Sequence, residues 1–199
     1  MTTRIASFLL AAFLVSSSTA QAQSFDLGAH VVGAHWSEFD GVDFGIGGRF
    51  AWKPVPIIGV ETEFNWYPTE FPGEGTTFSG DRLEGIVALT AGPRLGRLRP
   101  FVRAGVGFLK STEAPGPFAC IAIFPPPLSC LLAAGLTMPT FEIGGGVEIS
   151  TPGSTFIRFA ASDRILKYPG PTLGPADEVS EDGFFGHAFK FTLGGGWRF

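Results

Sequence analysis

The sequence predicts an all-β chain, with eight antiparallel strands closed into a transmembrane up-and-down barrel. Three observations carry this. Segments of strand length alternate apolar and polar side chains with period two, the pattern of a strand with one apolar and one polar face. Charged residues are only 16% of the chain, Gly reaches 28 and Phe 21, and no apolar run after residue 22 is long enough to cross a bilayer as a helix. The connections also sort by length. Those after the second, fourth and sixth strands are short, and those after the third, fifth and seventh are long. Short turns at one end and long loops at the other are the asymmetry of an outer-membrane barrel, with both termini on the short-turn side. A soluble sandwich or lipocalin-like barrel shares the alternation but has no cause to sort its loops.

Residues 1–22 stand apart. Arg4 gives a short basic start, Ile5 to Val15 are apolar but too few to span a bilayer, and Ala20-Gln21-Ala22 is a small-x-small cleavage site. This is the pattern of a secretory signal peptide cut after Ala22. It leaves residues 23–199 as one barrel domain and takes the net charge from −4 to −5 by removing Arg4. A mildly acidic chain with no basic block offers nucleic acid no electrostatic footprint.

The first strand is expected over Phe25 to Ala34, with Phe25, Leu27, Ala29 and Val31 outward and Asp26, Gly28 and His30 inward. Val32, Ala34 and Trp36 blur its far end, and a short loop, Trp36 to Gly41, breaks the length rule. The second strand, Val42 to Lys53, is followed by a tight turn at Pro54 and Pro56, which cannot donate to a ladder. The third is Ile58 to Trp66. The fourth, Leu83 to Leu95, carries Glu84, Thr90 and Arg94 inward. The fifth, Pro100 to Lys110, leads into the longest loop, Ser111 to Met138. The sixth, Phe141 to Ile149, turns at Thr151-Pro152-Gly153 into the seventh, Thr155 to Ile165. A polar loop from Lys167 to Phe185 precedes the last strand, Phe189 to Phe199, which reads FKFTLGGGWRF.

On this reading the outward face meets lipid. Trp52, Trp197 and Phe199 form an aromatic girdle at the short-turn end, and Trp66, Tyr67, Phe108 and Phe141 form one at the other. The inward face carries a balanced set of charges. Asp26, Asp43, Glu61, Glu63, Glu84, Glu142 and Glu148 meet Arg49, Lys53, Arg94, Arg103, Arg158, Arg164, Lys190 and Arg198. An eight-stranded barrel is about wide enough for its own side chains, so these charges are expected to form a packed ion-pair network with no open pore.

No residue set demands a catalyst. A Ser162, His187 and Asp163 grouping is conceivable, but alternation puts His187 outward and Ser162 inward, and residues on opposite faces cannot share a proton. His30 faces the lumen near Asp26, and no His/Cys/Asp cluster has metal-ligand spacing, so neither cofactor nor metal is expected. Cys120 and Cys130 are the only cysteines, and both fall in the longest loop. In an exported chain such a pair forms a disulfide worth about 3 kcal/mol if chain entropy dominates, the alternative being two free thiols. The same loop is apolar at Phe118, Ile121, Ile123, Phe124, Leu128, Leu131 and Leu132. It is expected to contact a partner, the outer-leaflet lipid or the barrel mouth, or to pack on itself.

Three stretches, Arg99 to Phe108, Phe141 to Ile149 and the terminal Gly-Gly-Trp-Arg-Phe, make the chain resemble the small outer-membrane β-barrel proteins: the OmpA-like and OmpX-like barrels and the opacity-type surface proteins. The resemblance implies the fold and an outer-membrane address; the chain is expected to be a monomer. It also implies that Phe189, Phe191, Leu193, Trp197 and Phe199 are read by the barrel assembly machinery as an insertion signal. Two function classes follow. One is a non-enzymatic structural or adhesin-like surface protein whose loops bind. The other is a lipid-modifying barrel enzyme of the lipid A deacylase or acyltransferase type. Intact mass of unreduced protein from the membrane fraction tests the export reading. The expected species lacks residues 1–22 and is two hydrogens lighter than the dithiol; two alkylatable thiols would remove the disulfide.

Overall fold

The computed structural model describes residues 23–38, 42–68, 81–113, 124–173 and 179–199. In chain order the elements are β1 Ser24–Trp36, β2 Val42–Lys53, β3 Ile58–Tyr67, β4 Arg82–Ala91, β5 Leu98–Ser111, α1 Leu128–Ala133, β6 Thr137–Ser150, β7 Thr155–Lys167, β8 Thr172–Leu173, β9 Val179–Ser180 and β10 Phe185–Arg198. Eight of them close a barrel in the order β1-β10-β7-β6-β5-β4-β3-β2, every pair antiparallel. The closing seam runs from Asp26 opposite Arg198 to Trp36 opposite Ala188. Phe25 and Phe199 extend it by exchanging backbone hydrogen bonds of 3.1 and 2.8 Å. Closure leaves no strand edge unpaired, which hydrocarbon requires because nothing there can satisfy a free N–H or C=O.

The eight-stranded architecture is the one the alternation predicts, and the differences lie at strand ends. β4 begins at Arg82 and stops at Ala91, short of the expected Leu95. Gly92 instead donates its N–H to the Ile57 carbonyl at 2.9 Å, and Pro93, which has no N–H, cannot continue the ladder. The chain reverses at Gly96, whose φ of +63° an L side chain rarely adopts. β5 and β6 form a taller hairpin than expected, with Lys110 still opposite Thr137.

Outward side chains are apolar on every barrel strand. Leu27, Phe44, Phe64, Leu89, Val102, Ile143, Phe159 and Phe191, one from each, leave about half or more of their surface uncovered. An apolar belt continuous around a molecule marks a surface made for an apolar medium.

The interior has two tiers. Toward the short turns it is polar and charged. Toward the long loops it is an apolar core of Val32, Ala34, Trp36, Tyr67, Leu109, Met138, Leu166, Tyr168 and Ala188, with Leu128, Leu132 and Ala133 of α1 pressed onto it. The upper tier explains why the far end of β1 reads poorly as a sequence. Where both faces are apolar, period two disappears, as in Val31-Val32. α1 has six residues, no side-chain N-cap and no charge matched to its dipole. So short a helix is not stable alone, and its packing into the mouth holds it. Ser111 anchors it by donating from Oγ to the Leu132 carbonyl at 3.1 Å. Thr172 donates to the Pro126 carbonyl at 3.2 Å, and Pro127 forms a bridge with Leu173. The described parts of the two long loops therefore make one cap.

Candidate functional site

Period two sends every second residue of each strand inward, and the barrel brings those residues to a common axis. At the short-turn end, Asp26 of β1 and Glu148 of β6 are each contacted by both Lys53 of β2 and Arg198 of β10. In the middle, Glu61 of β3 meets Arg49 at 3.3 Å, Arg158 at 3.0 Å and Arg103 at 3.2 Å. Arg103 of β5 also reaches Glu63 at 2.7 Å and Glu142 at 3.1 Å. Lys190 of β10 is a second hub, 3.0 Å from Glu63, 3.5 Å from Glu84 and 2.5 Å from Glu142. Asn65 donates to Glu63 at 2.8 Å and to Glu84 at 2.7 Å. Near the outer end Arg82 forks onto Asp43 at 2.8 and 2.9 Å.

Rings fill the space between these charges. The Arg158 guanidinium lies 3.8 Å from the Phe101 ring centre, and Arg49 lies 5.2 Å from that of Phe156. What remains among His30, Arg49, Glu63, Phe156, Arg158 and Thr192 is a cavity of about 10 Å³. That is roughly the space of one water. Arg164 joins the two tiers. It donates to Glu84 at 2.9 Å while its guanidinium lies 4.8 Å from the Trp36 ring centre.

The outer rim has its own polar group. A Cβ on Gly186 would fall 1.6 Å from Glu38 Oε1 and 2.6 Å from Tyr168 Cε2, so the two side chains crowd a position only glycine can occupy. Burial pushes the Glu38 carboxyl above its ordinary range, and burial together with the nearby Glu38 pushes the Tyr168 phenol up. Just outside, His187 Nδ1 and Asp163 Oδ2 are 2.9 Å apart on the exposed face of β10 and β7.

Several expectations change. Arg94 is exposed beyond the end of β4, where its Nε donates to the Gly96 carbonyl at 3.4 Å, so it lies outside the lumen. Tyr67 is buried inside, donating to Glu84 at 2.9 Å, and does not belong to an aromatic girdle. Trp52, Trp66, Trp197, Phe108, Phe141 and Phe199 do face outward, as do Phe189, Phe191 and Leu193. His30 contacts Asn65 at 2.6 Å rather than Asp26, because residues four apart along a strand are too distant to touch. Ser162 is buried while His187 and Asp163 face out, so no Ser/His/Asp triad is assembled from them. Leu128 and Leu132 are buried in the mouth, whereas Phe124 is 84% exposed. Phe118, Cys120, Ile121 and Ile123 lie outside the described residues. Cys130 lies within α1 and is not free.

Two buried cations, Arg82 and Arg99, were absent from the expected network. Each lies one residue outside an expected strand end, and each shares the inward parity of its strand, Arg82 with Glu84 and Arg99 with Phe101. Extending the alternation backwards by one residue finds both.

No family model and no curated protein matches this chain. Solved structures do. Neisserial surface protein A matches with a TM-score of 0.52 at 9% identity, over 89% of this chain and 97% of that one. The attachment invasion locus protein Ail of Yersinia pestis, in complex with the heparin analogue sucrose octasulfate, matches with a TM-score of 0.48 at 14% identity, over 89% and 99%. The outer membrane protein OprG of Pseudomonas aeruginosa matches with a TM-score of 0.47 at 14% identity, over 89% and 96%. The fold is therefore that of the small eight-stranded outer-membrane barrels.

The network makes a quantitative prediction. Arg103→Met would leave Glu61, Glu63 and Glu142 without their shared cation. Breaking a buried pair costs about 3–5 kcal/mol, and the cost here lies toward the lower end because Arg49, Arg158 and Lys190 still hold these acids. The urea midpoint of refolded protein in micelles should fall accordingly, while exposed Arg94→Met should change stability by no more than about 0.5 kcal/mol. Equal midpoints for the two variants would show that the lumen charges do not hold the barrel.

Proposed function

We propose that this chain is a bacterial outer-membrane protein, exported by removal of residues 1–22, with a structural and surface-contact role and no enzymatic one. The carrying observation is the filled interior: an ion-pair network in the lower tier and α1 seated over an apolar upper tier. A barrel plugged in this way presents its loops, not a channel, to the outside. The contact surface in this reading is the cap formed by residues 124–136, 168–173 and 179–184, with Phe124 at its most exposed point. A disulfide between Cys120 and Cys130 is part of this reading. The lumen supports the non-conducting half of the reading, and planar-bilayer recordings of the purified protein are expected to show no stable open level. A large, steady conductance would overturn it.

The surface half has a separate test. Phe124 is 84% exposed, so Phe124→Asp should leave the heat-modifiable folded form intact. Bacteria displaying this variant are expected to adhere less than wild type to epithelial monolayers and matrix-coated plates. Undiminished adherence, or altered acyl chains in lipid incubated with the wild-type protein, would count against the reading and favour an enzyme.

A further inference from the structure

The short-turn mouth holds a second feature that the barrel's own charges do not explain. A cavity of about 130 Å³ opens there between Ser24, Lys53, Pro56, Arg94, Arg99 and Arg198. This is well above the roughly 10–15 Å³ that one water needs. Four of its six lining residues are cations. Lys53 and Arg198 are already matched, since the two of them share Asp26 and Glu148. Arg94 and Arg99 are not. Arg94 stands at the rim, where among the described residues its hydrogen-bond partner is the Gly96 carbonyl. Arg99 is only 3% exposed, yet its Nε and Nη1 donate to nothing, and its Nη2 reaches the Ile57 carbonyl only at 3.5 Å. Among the described residues, every other buried Arg or Lys lies within 4.0 Å of a carboxylate.

A guanidinium taken out of water with free N–H groups and no anion is costly, and such a group is satisfied by a ligand of opposite charge. The surplus of two cations over the local carboxylates sets the charge of that ligand. The guanidiniums of Arg99 and Arg94 in its lining set its chemistry, since guanidinium donors match the oxygens of a tetrahedral oxyanion. We propose that this cup is an anion site for a dianionic phosphate group. Arg99 holds it from the inner wall, Arg94 closes on it from the rim, and the Ser24 hydroxyl stands at its edge. Asp26 and Glu148, the acids nearest the cup, are already neutralised by Lys53 and Arg198, so they do not repel it. The site is independent of the surface role proposed above, because it lies at the opposite end of the barrel from α1.

The phosphate could be free in solution or be the headgroup of a membrane lipid, and the test separates the two. Protein purified from the membrane fraction is held in a zwitterionic detergent at low ionic strength and titrated with inorganic phosphate, followed by ³¹P line broadening. A parallel sample sits in phosphatidylcholine vesicles containing phosphatidylglycerol, and broadening of the phosphatidylglycerol resonance is read. Saturable binding of either probe is expected. It should be weakened about tenfold or more by Arg99→Met, as expected on losing charge-assisted hydrogen bonds, and a few-fold by Arg94→Gln. A response to inorganic phosphate assigns a soluble phosphate; a response confined to the vesicles assigns a lipid headgroup. Arg94 is exposed, so Arg94→Gln decides the matter if Arg99→Met fails to fold. Absence of saturable binding with both probes, or affinity unchanged in the folded variants, would overturn the site.

Discussion

A charge withdrawn from water must find an opposite charge, and in this barrel that requirement couples all eight strands. Glu61 and Glu63 come from β3, Glu84 from β4, Arg103 from β5, Glu142 from β6, Arg158 from β7 and Lys190 from β10, and each of these residues is buried. Asp26 from β1 and Arg49 from β2 complete the ring. A slip of one residue in any pairing would turn that strand's charges into lipid and its Phe, Val and Leu side chains into the lumen. The network therefore stabilises less by net attraction, which desolvation largely offsets, than by making every wrong register expensive.

The same lumen changes character along its axis. Below Arg164 the side chains pair by charge; above it, beside the Arg82–Asp43 pair, Trp36, Leu109, Met138, Leu166 and Tyr168 pack as they would in a soluble core. Arg164 can stand at the boundary because a guanidinium offers both edges for Glu84 and a face for the Trp36 ring. The apolar tier creates a second need, a cover against water at the mouth, and α1 meets it. The segment that reads as an oddly apolar outer loop is thus partly the upper end of the core. Only Phe124, among its described large apolar side chains, is left for an external contact.

The two ends of the barrel differ for the same physical reason. At the outer end a carboxyl, Glu38, and a phenol, Tyr168, crowd against Gly186 under an apolar cap. At the inner end cations exceed acids, and Arg99 is buried without a salt bridge to a carboxylate among the described residues. Neither end is an interior in balance with itself. The proposed functions are tied to what would complete each end: a surface contact above and an oxyanion below.

Strand number, strand direction and the inward or outward sense of nearly every residue follow from the sequence alone, because period-two alternation is a local property and needs no knowledge of neighbours. For β2, Val42–Lys53, even the limits follow, because Pro54 and Pro56 end it without tertiary help. Where inner and outer faces are both apolar, as beyond Val31, the alternation vanishes and so does the information. Where a strand end depends on its neighbour's length, as for Arg82 and Arg99, the local signal stops one residue short. Which acid meets which base is not local at all. Lys190 and Glu63 are 127 residues apart, and only the register of eight strands around one axis brings them together.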